Sequence, residues 1–441
     1  MVKGLNIKLS VFAVLLQGLV SIGKEVLPIY VTNNYLYLGV DAGDGYGGIY
    51  RYDLSSGDLE EVWFGEGVRF SQVAIDHISN RVVVVGLGRD SEGLPRSAVF
   101  VFNPSSEGVD VVTHQNTDEI NMFRSVVYDH VYRRFIVGER GYGTDASRVR
   151  SVWPNGGGLW VIPYEGLFDY TRWVRVHEFP NNPEVTSIAL HTDNNVYVGL
   201  WRAGVVSKVV RSSIAGLTSW GDFSTGNVNV RHFVDSEGRV FTYSRVLNSG
   251  DAYIYWFTDL SSSYVFLGNF GGGVGSVDVK LVGRYVVVAV GKPSLSATDV
   301  YLVDRNNNTY RVVQSNVSGL IEGKRFLYDG RKNLYIGSVN SAGNAKVYRL
   351  SFDYGRVLML NVSPSVVRVG GTVTLTAVLR DESGNPVAGA TVEFYVAHST
   401  HGSVAGHRIG SQITNSSGVA SMTYTAPVSP ARLMFFAIYH G

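Results

Sequence analysis

At 441 residues and a formal net charge of +1, the chain has neither a global basic field nor a Lys/Arg run that would draw nucleic acid or an acidic membrane surface, so no nucleic-acid partner is expected. Cysteine is absent, which excludes disulfides, thiolate metal sites and a Cys nucleophile. Charged residues make up only 17% while Gly (51) and Tyr (26) are abundant, and with many β-branched residues this composition favours strands and tight turns, an all-β chain.

Residues 1–23 stand apart. Lys3 and Lys8 precede an apolar run from Val11 to Ile22, and Ser21 and Gly23 are placed like the small residues of a cleavage site. An export signal or N-terminal anchor is the expectation, and it is the chain's one route to a membrane. The run of about 12 apolar-rich residues is short of the roughly 20 that span a bilayer as a helix. The other reading is a helix or strand packed on the body of the protein. Lys3-Gly4 ahead of an apolar stretch also resembles the processing site of archaeal prepilins, although Lys8 inside the stretch departs from that pattern.

From residue 24 onward one phrase returns about every 45–60 residues, and strand-built repeats of that period imply a toroid of sheets. The phrase is an apolar strand, a polar turn and a second apolar run ending in Gly. It reads Val73-Ala74-Ile75-Asp76 … Arg81-Val82-Val83-Val84-Val85-Gly86, then Val126-Val127-Tyr128-Asp129 … Arg134-Phe135-Ile136-Val137-Gly138. It returns as Ile188-Ala189-Leu190-His191 … Asn195-Val196-Tyr197-Val198-Gly199 and as Phe326-Leu327-Tyr328-Asp329 … Asn333-Leu334-Tyr335-Ile336-Gly337. Counting each phrase as the start of a blade gives a seven-bladed β-propeller over 24–356, with six and eight as the neighbouring counts. The Asp after the first strand is expected to be a turn residue bonding nearby backbone rather than a catalytic one. In the first blade, Tyr30-Val31-Thr32-Asn33 followed by Tyr35-Leu36-Tyr37 resembles the repeat of the YVTN-type propeller family, frequent in archaeal and bacterial cell-surface proteins. That resemblance is close in one blade and extends to the others only as rhythm.

Loops between the second and third strands of a blade share one face, where a rigid scaffold presents binding residues. Asp41-Ala42-Gly43-Asp44-Gly45-Tyr46 sets two carboxylates among glycines, a spacing a Ca²⁺ loop uses, but no later acid closes the site, so a plain hairpin loop is expected. The stretch from Arg140 to Gly158 is long for a propeller hairpin and carries Tyr142, Arg148, Arg150 and Trp153, residue types enriched at interface hot spots. The candidate binding residues are therefore Tyr142, Arg148, Arg150, Trp153, Asp44 and Tyr46. Ser212-Ser213-Ile214-Ala215-Gly216-Leu217-Thr218 keeps part of a sialidase Asp box but has Ile214 where its Asp belongs, and no second copy occurs. His398, His401 and His407 lack a companion carboxylate and the spacing of a zinc site. No phosphate loop, nucleophile elbow or His-Glu zinc motif is present, so no catalytic residue, metal or cofactor is assigned.

After Tyr354-Gly355-Arg356 the rhythm changes. Thr372-Val373-Thr374-Leu375-Thr376-Ala377-Val378-Leu379 alternates as a strand with one buried face, followed by turn residues Asp381, Gly384, Pro386 and Gly389-Ala390, the strand Thr391–Val396, and Gly418 ahead of Ser421–Thr425. This order resembles the bacterial Ig-like domain of invasins and intimins. The resemblance implies a β-sandwich over 357–441 serving as a spacer or adhesive arm.

The expected protein is a non-enzymatic surface or adhesion protein of a cell envelope, an appendage or an archaeal virion exterior. Its propeller head would bind a host or neighbouring protein or glycan, or assemble with other envelope or virion subunits. A secreted carbohydrate-active propeller enzyme and a purely structural lattice or filament subunit are the other two readings. Sequons at Asn307, Asn316, Asn361 and Asn415 would accept glycans on an exported chain.

Overall fold

The computed structural model describes residues 12–439 apart from 44, 77–78, 115–120, 130–131, 142–156, 180–183, 191–194, 203–204, 214–218, 225–227, 235–239, 246–251, 258–264, 270–275, 283–284, 293–296, 305–308, 319–322, 330–332, 340–344, 354–355, 382–383, 398–405 and 427–432. Among the described residues the only helical turns are two short 3₁₀ segments, Tyr164–Gly166 and Tyr170–Arg172. None is long and apolar enough to cross a membrane.

The remaining regular structure of the described residues is antiparallel sheet. Among them seven four-stranded sheets follow one another: the first over 25–66, the second over 69–113, the third over 121–178, the fourth over 184–224, the fifth over 228–269, the sixth over 276–318, and the last over 323–353. Each of the first six is a simple up-and-down meander. The last contributes only three consecutive strands, and its fourth is Phe12–Ser21, paired with Lys346–Asp353 from Phe12 opposite Asp353 to Ser21 opposite Lys346. Part of the stretch expected to be an export signal or anchor is thus an edge strand of the last sheet. An unpaired row of backbone N–H and C=O groups is costly to leave open, and this strand covers it. Ile22 N donates to Ala345 O (2.8 Å) and Ala345 N to Gly23 O (2.9 Å), which carries the join into the first sheet.

The sheets form a ring. The first strand of each packs against that of the next, and Glu25–Val31 of the first sheet packs against Gly323–Tyr328 and Asn333–Ser338 of the last, with a bridge between Glu25 and Val339. One apolar cluster therefore combines Val26, Ile29 and Leu38 of the first sheet, Val73, Val84 and Phe100 of the second, and Tyr335 and Val347 of the last. This geometry explains the recurring valine runs. A second strand such as Arg81–Arg89 is buried at every position between its ends because both its faces meet a neighbouring sheet. The outermost strands Leu59–Glu66 and Gly108–Thr113 have no fully buried residue. This is the β-propeller architecture.

The Asp residues that close the first strands serve the turns. Asp129, fully buried, accepts from Tyr132 N (3.2 Å) and from Arg134 Nε (3.0 Å). Asp329 accepts from Asn333 N (3.0 Å) and its side-chain amide (2.7 Å), and Asp76 accepts from the Ser79 hydroxyl (2.5 Å).

Beyond Asp353 two three-stranded sheets face each other. Arg356–Ser363, Thr372–Asp381 and Val419–Thr425 form one, and Gly406–Ile413, Thr391–Ala397 and Met434–Tyr439 the other. Thr372–Asp381 buries alternate residues, and Val373, Leu375 and Ala377 meet Val392 and Phe394 of the facing sheet. Asp381 caps its turn by accepting from Asn385 N (2.8 Å), and Gly384, Gly389 and Gly418 all adopt positive φ, which glycine tolerates without steric cost.

Candidate functional site

In a meander, the connections between second and third strands and those leading to the next sheet lie at one end; the remaining connections lie at the other. The hairpin between Tyr35–Gly43 and Tyr46–Asp53, the end of Arg134–Gly141 and the start of Gly158–Pro163 therefore belong to the same face. Of the six candidate residues, Asp44, Tyr142, Arg148, Arg150 and Trp153 lie outside the described residues. Tyr46 is described, and it is 42% exposed. Its ring stacks on Phe64 of the adjacent strand, with centroids 5.6 Å apart and planes at 12°, and Phe64 is itself 45% exposed. The pairing follows from register, since Gly48 sits opposite Phe64 and Tyr46 is the diagonal neighbour on the same side. Phe64 is not among the six candidates, because its place beside Tyr46 depends on cross-strand register rather than on loop composition.

Four acidic side chains of this face, Asp41, Asp90, Glu139 and Glu184, are held by the chain's own cations and amides. Asp41, the first carboxylate of the glycine-rich loop, accepts from Gly43 N (2.9 Å) through one oxygen and from Arg69 Nε (3.2 Å) through the other. Asp90 and Arg96 form a buried pair at 2.9 Å. Burial opposes ionisation of Asp90, but the Leu94 and Glu92 amides and the Arg96 guanidinium outweigh it and hold the carboxyl below its usual range. Deeper, Glu139 is 2% exposed; it accepts from Trp160 Nε1 (2.9 Å) and pairs with Arg175 (3.4 Å), which also reaches Glu178 (3.7 Å). Arg124 on the first strand of the third sheet meets Glu184 on that of the fourth at 2.9 Å, tying neighbouring sheets together. No group of three His, Asp or Glu side chains among the described residues is arranged to hold a metal ion.

His114 lies at the outer side of the same region. It packs edge-on to Trp160 at 4.9 Å and stacks on Trp173 at 6.1 Å. Burial among these rings, followed by the positive charge of Arg96, lowers its pKa below the usual imidazole value.

Because Glu139 is buried and receives an indole N–H and a guanidinium, its removal takes away the carboxylate that both donors share, leaving Arg175 with Glu178. Glu139→Ala is expected to lower unfolding stability by about 3 kcal/mol, read from urea denaturation, with Glu139→Gln intermediate because its carbonyl still accepts from Trp160. A wild-type midpoint in the Ala variant would refute the structural role given to this carboxylate.

No known protein family matches the sequence, and no curated protein does. Solved structures do match. A chain described with the mitotic checkpoint complex aligns with a TM-score of 0.52 at 12% identity, over 80% of this chain and 96% of that one. Oligogalacturonate lyase in complex with manganese aligns with a TM-score of 0.53, also at 12% identity, over 77% of this chain and 93% of the lyase. The likeness is to the β-propeller fold. At this identity it carries the architecture and nothing of the site, and the lyase places an enzyme among the proteins that share it.

Proposed function

We propose that the chain is an extracellular binding protein in which a seven-bladed propeller head precedes an Ig-like module, working without catalysis at a cell envelope, an appendage or a virion exterior. It takes a protein or glycan on the face that carries Tyr46. The observation that carries this reading is the exposed Tyr46–Phe64 stack on a face where Asp41, Asp90, Glu139 and Glu184 are engaged by Arg69, Arg96, Arg175 and Arg124. Exposed aromatic rings beside arginines suit recognition by contact, whereas general acid–base chemistry needs a carboxyl group turned toward substrate. Four-stranded sheets in the number found here favour seven blades. The paired three-stranded sheets and the positive-φ glycines of the C-terminal part favour the invasin-like module, and the Tyr30–Asn33 turn favours a surface-protein propeller.

The test is binding of the full chain to glycan arrays and to isolated envelope fractions, with a Tyr46→Ala/Phe64→Ala double variant alongside. The double variant is expected to bind about tenfold or more weakly while keeping its melting temperature, since both rings are already in solvent. Absence of binding and of self-assembly in the wild-type chain would overturn the reading. A second reading, a carbohydrate-active propeller enzyme, is favoured by the likeness to the lyase. Glycoside hydrolysis would require two carboxyl groups about 5–10 Å apart in an open cleft. Turnover of a polysaccharide would establish this reading in place of the first. In the third reading, a lattice or filament subunit, the ligand is a second copy of the chain, and particle images of the native source distinguish it.

A further inference from the structure

The face opposite Tyr46 and Phe64 holds a second feature, at the junction of the second and third sheets. Two turns there share one pattern, Asp76-His77-Ile78-Ser79-Asn80-Arg81 and Asp129-His130-Val131-Tyr132-Arg133-Arg134. In the later turn the last arginine folds back on its aspartate, Arg134 to Asp129 at 3.0 Å. In the earlier one Arg81 does not close the turn. Its guanidinium lies 4.8 Å from the centroid of Tyr164 and 5.3 Å from that of Phe168, and it has no carboxylate partner among the described residues. The Tyr164 ring is fixed across the junction by its hydroxyl, which donates to Ser79 Oγ (2.9 Å).

A second guanidinium shares that ring. Arg133 lies 4.6 Å from the Tyr164 centroid and pairs with Glu165 at 2.7 Å, while its Nε is buried without a hydrogen-bond partner. Arg133 also has φ +49°, where the matching residue of the other turn is Asn80 at +53°. Asparagine enters the left-handed region readily and arginine does not, so arginine here is conformationally disfavoured and calls for a compensating use. A similar stack elsewhere shows what neutralisation looks like: Arg51 lies 4.8 Å from the Tyr35 centroid, and Glu107 (2.6 Å) and Glu60 both take its charge. At the junction of the second and third sheets Arg81 has the two rings for partners, Arg133 has Glu165 as its ion-pair partner, and Arg133 Nε is an orphaned N–H. Phe168 at 50% and Tyr132 at 56% exposure flank it.

We propose that this junction is a binding site for a carboxylated sugar, a uronic or sialic acid residue of a glycan. Arg81 takes the carboxylate, and the exposed ring of Phe168 packs against the C–H face of the sugar. A sugar acid carries one carboxylate and an apolar face within a single ring, which matches one unneutralised guanidinium beside one exposed aromatic ring. The site lies at hairpin ends rather than along a sheet edge, so it offers no backbone ladder for an extended peptide. It is on the opposite face from the Tyr46 surface, so either proposal can fail while the other stands.

The experiment is calorimetric titration of the full chain with oligogalacturonate, oligoguluronate, a hyaluronan hexasaccharide and sialyllactose. Methyl-esterified oligogalacturonate and a Glu-rich peptide serve as controls. At least one acidic sugar is expected to bind, with affinity falling about tenfold or more in Arg81→Gln and in Phe168→Ala and falling further with salt, while the ester does not bind. Both variants are expected to melt within a few degrees of wild type, and Tyr46→Ala/Phe64→Ala to leave this binding unchanged. The proposal is overturned if none of the four sugars binds, if the ester binds as well as the acid, if both variants bind like wild type, or if only the peptide shows the dependence on Arg81.

Discussion

Deleting residues 1–21 is expected to cost roughly 5 kcal/mol or more of unfolding stability and to make the protein prone to aggregate. The loss is the backbone ladder between Phe12–Ser21 and Lys346–Asp353, with register partners from Phe12 to Ser21; at about 1 kcal/mol net per hydrogen bond, half a dozen bonds account for it. Packing adds to this, because Leu19 lies against the cluster that joins the first, second and last sheets, and Leu19 O accepts from the Tyr52 hydroxyl (3.2 Å). The exposed edge is the larger practical consequence. Lys346–Asp353 would become an unpaired strand on a sheet with no further strand to cover it, a template for pairing between molecules. Thermal melts with light scattering, comparing full-length and truncated chains, measure both effects. A truncated chain with the full-length midpoint and no scattering is what a removable export signal predicts, and it would refute the closing role of this strand.

That strand also marks how far the sequence could be read. The strand-turn-strand phrases fall on the first and second strands of sheets, because a second strand lies between two neighbouring sheets and is apolar at nearly every position, as in Val82-Val83-Val84-Val85. The third and fourth strands have weaker patterns; Leu59–Glu66 is largely in solvent and its composition reflects solubility more than packing. Phe12–Ser21 has the composition of an export segment because an apolar decamer is what both a signal and a half-buried strand require, and its partner lies at the other end of the ring, beyond the reach of any local pattern. Candidate residues were chosen by loop composition, and that criterion finds Tyr46 but not Phe64, whose role depends on cross-strand register. It passes over Arg81 as well, since an arginine opening a strand looks ordinary until Tyr164 and Phe168 are brought against it from the next sheet.

The glycine that ends each phrase supports the second large prediction. A Cβ on Gly337 would lie 2.0 Å from Val26 O in the first sheet, and one on Gly138 2.3 Å from Val185 Cγ1 in the fourth; on Gly86 it would lie 1.9 Å from Arg69 O within its own sheet. Register slips in the paired first strands, between Phe70 and Gln72, Phe123 and Ser125, and Gly323 and Phe326, fall beside these glycines. The neighbouring sheet completes the crowding, and in a closed ring it cannot retreat without disturbing the sheet behind it. Gly337→Ala therefore forces a backbone displacement and is expected to destabilise by about 3 kcal/mol, at the upper end of overpacking effects. Gly108→Ala is the control: its nearest neighbour is Ser106 Oγ at 3.4 Å and its φ is ordinary, so its cost is expected within about 0.5 kcal/mol. Urea midpoints of the two variants separate crowding from the general cost of replacing glycine in a strand. Equal midpoints would mean that the sheets yield where the ring holds them closest, and the recurring glycine would then need another cause.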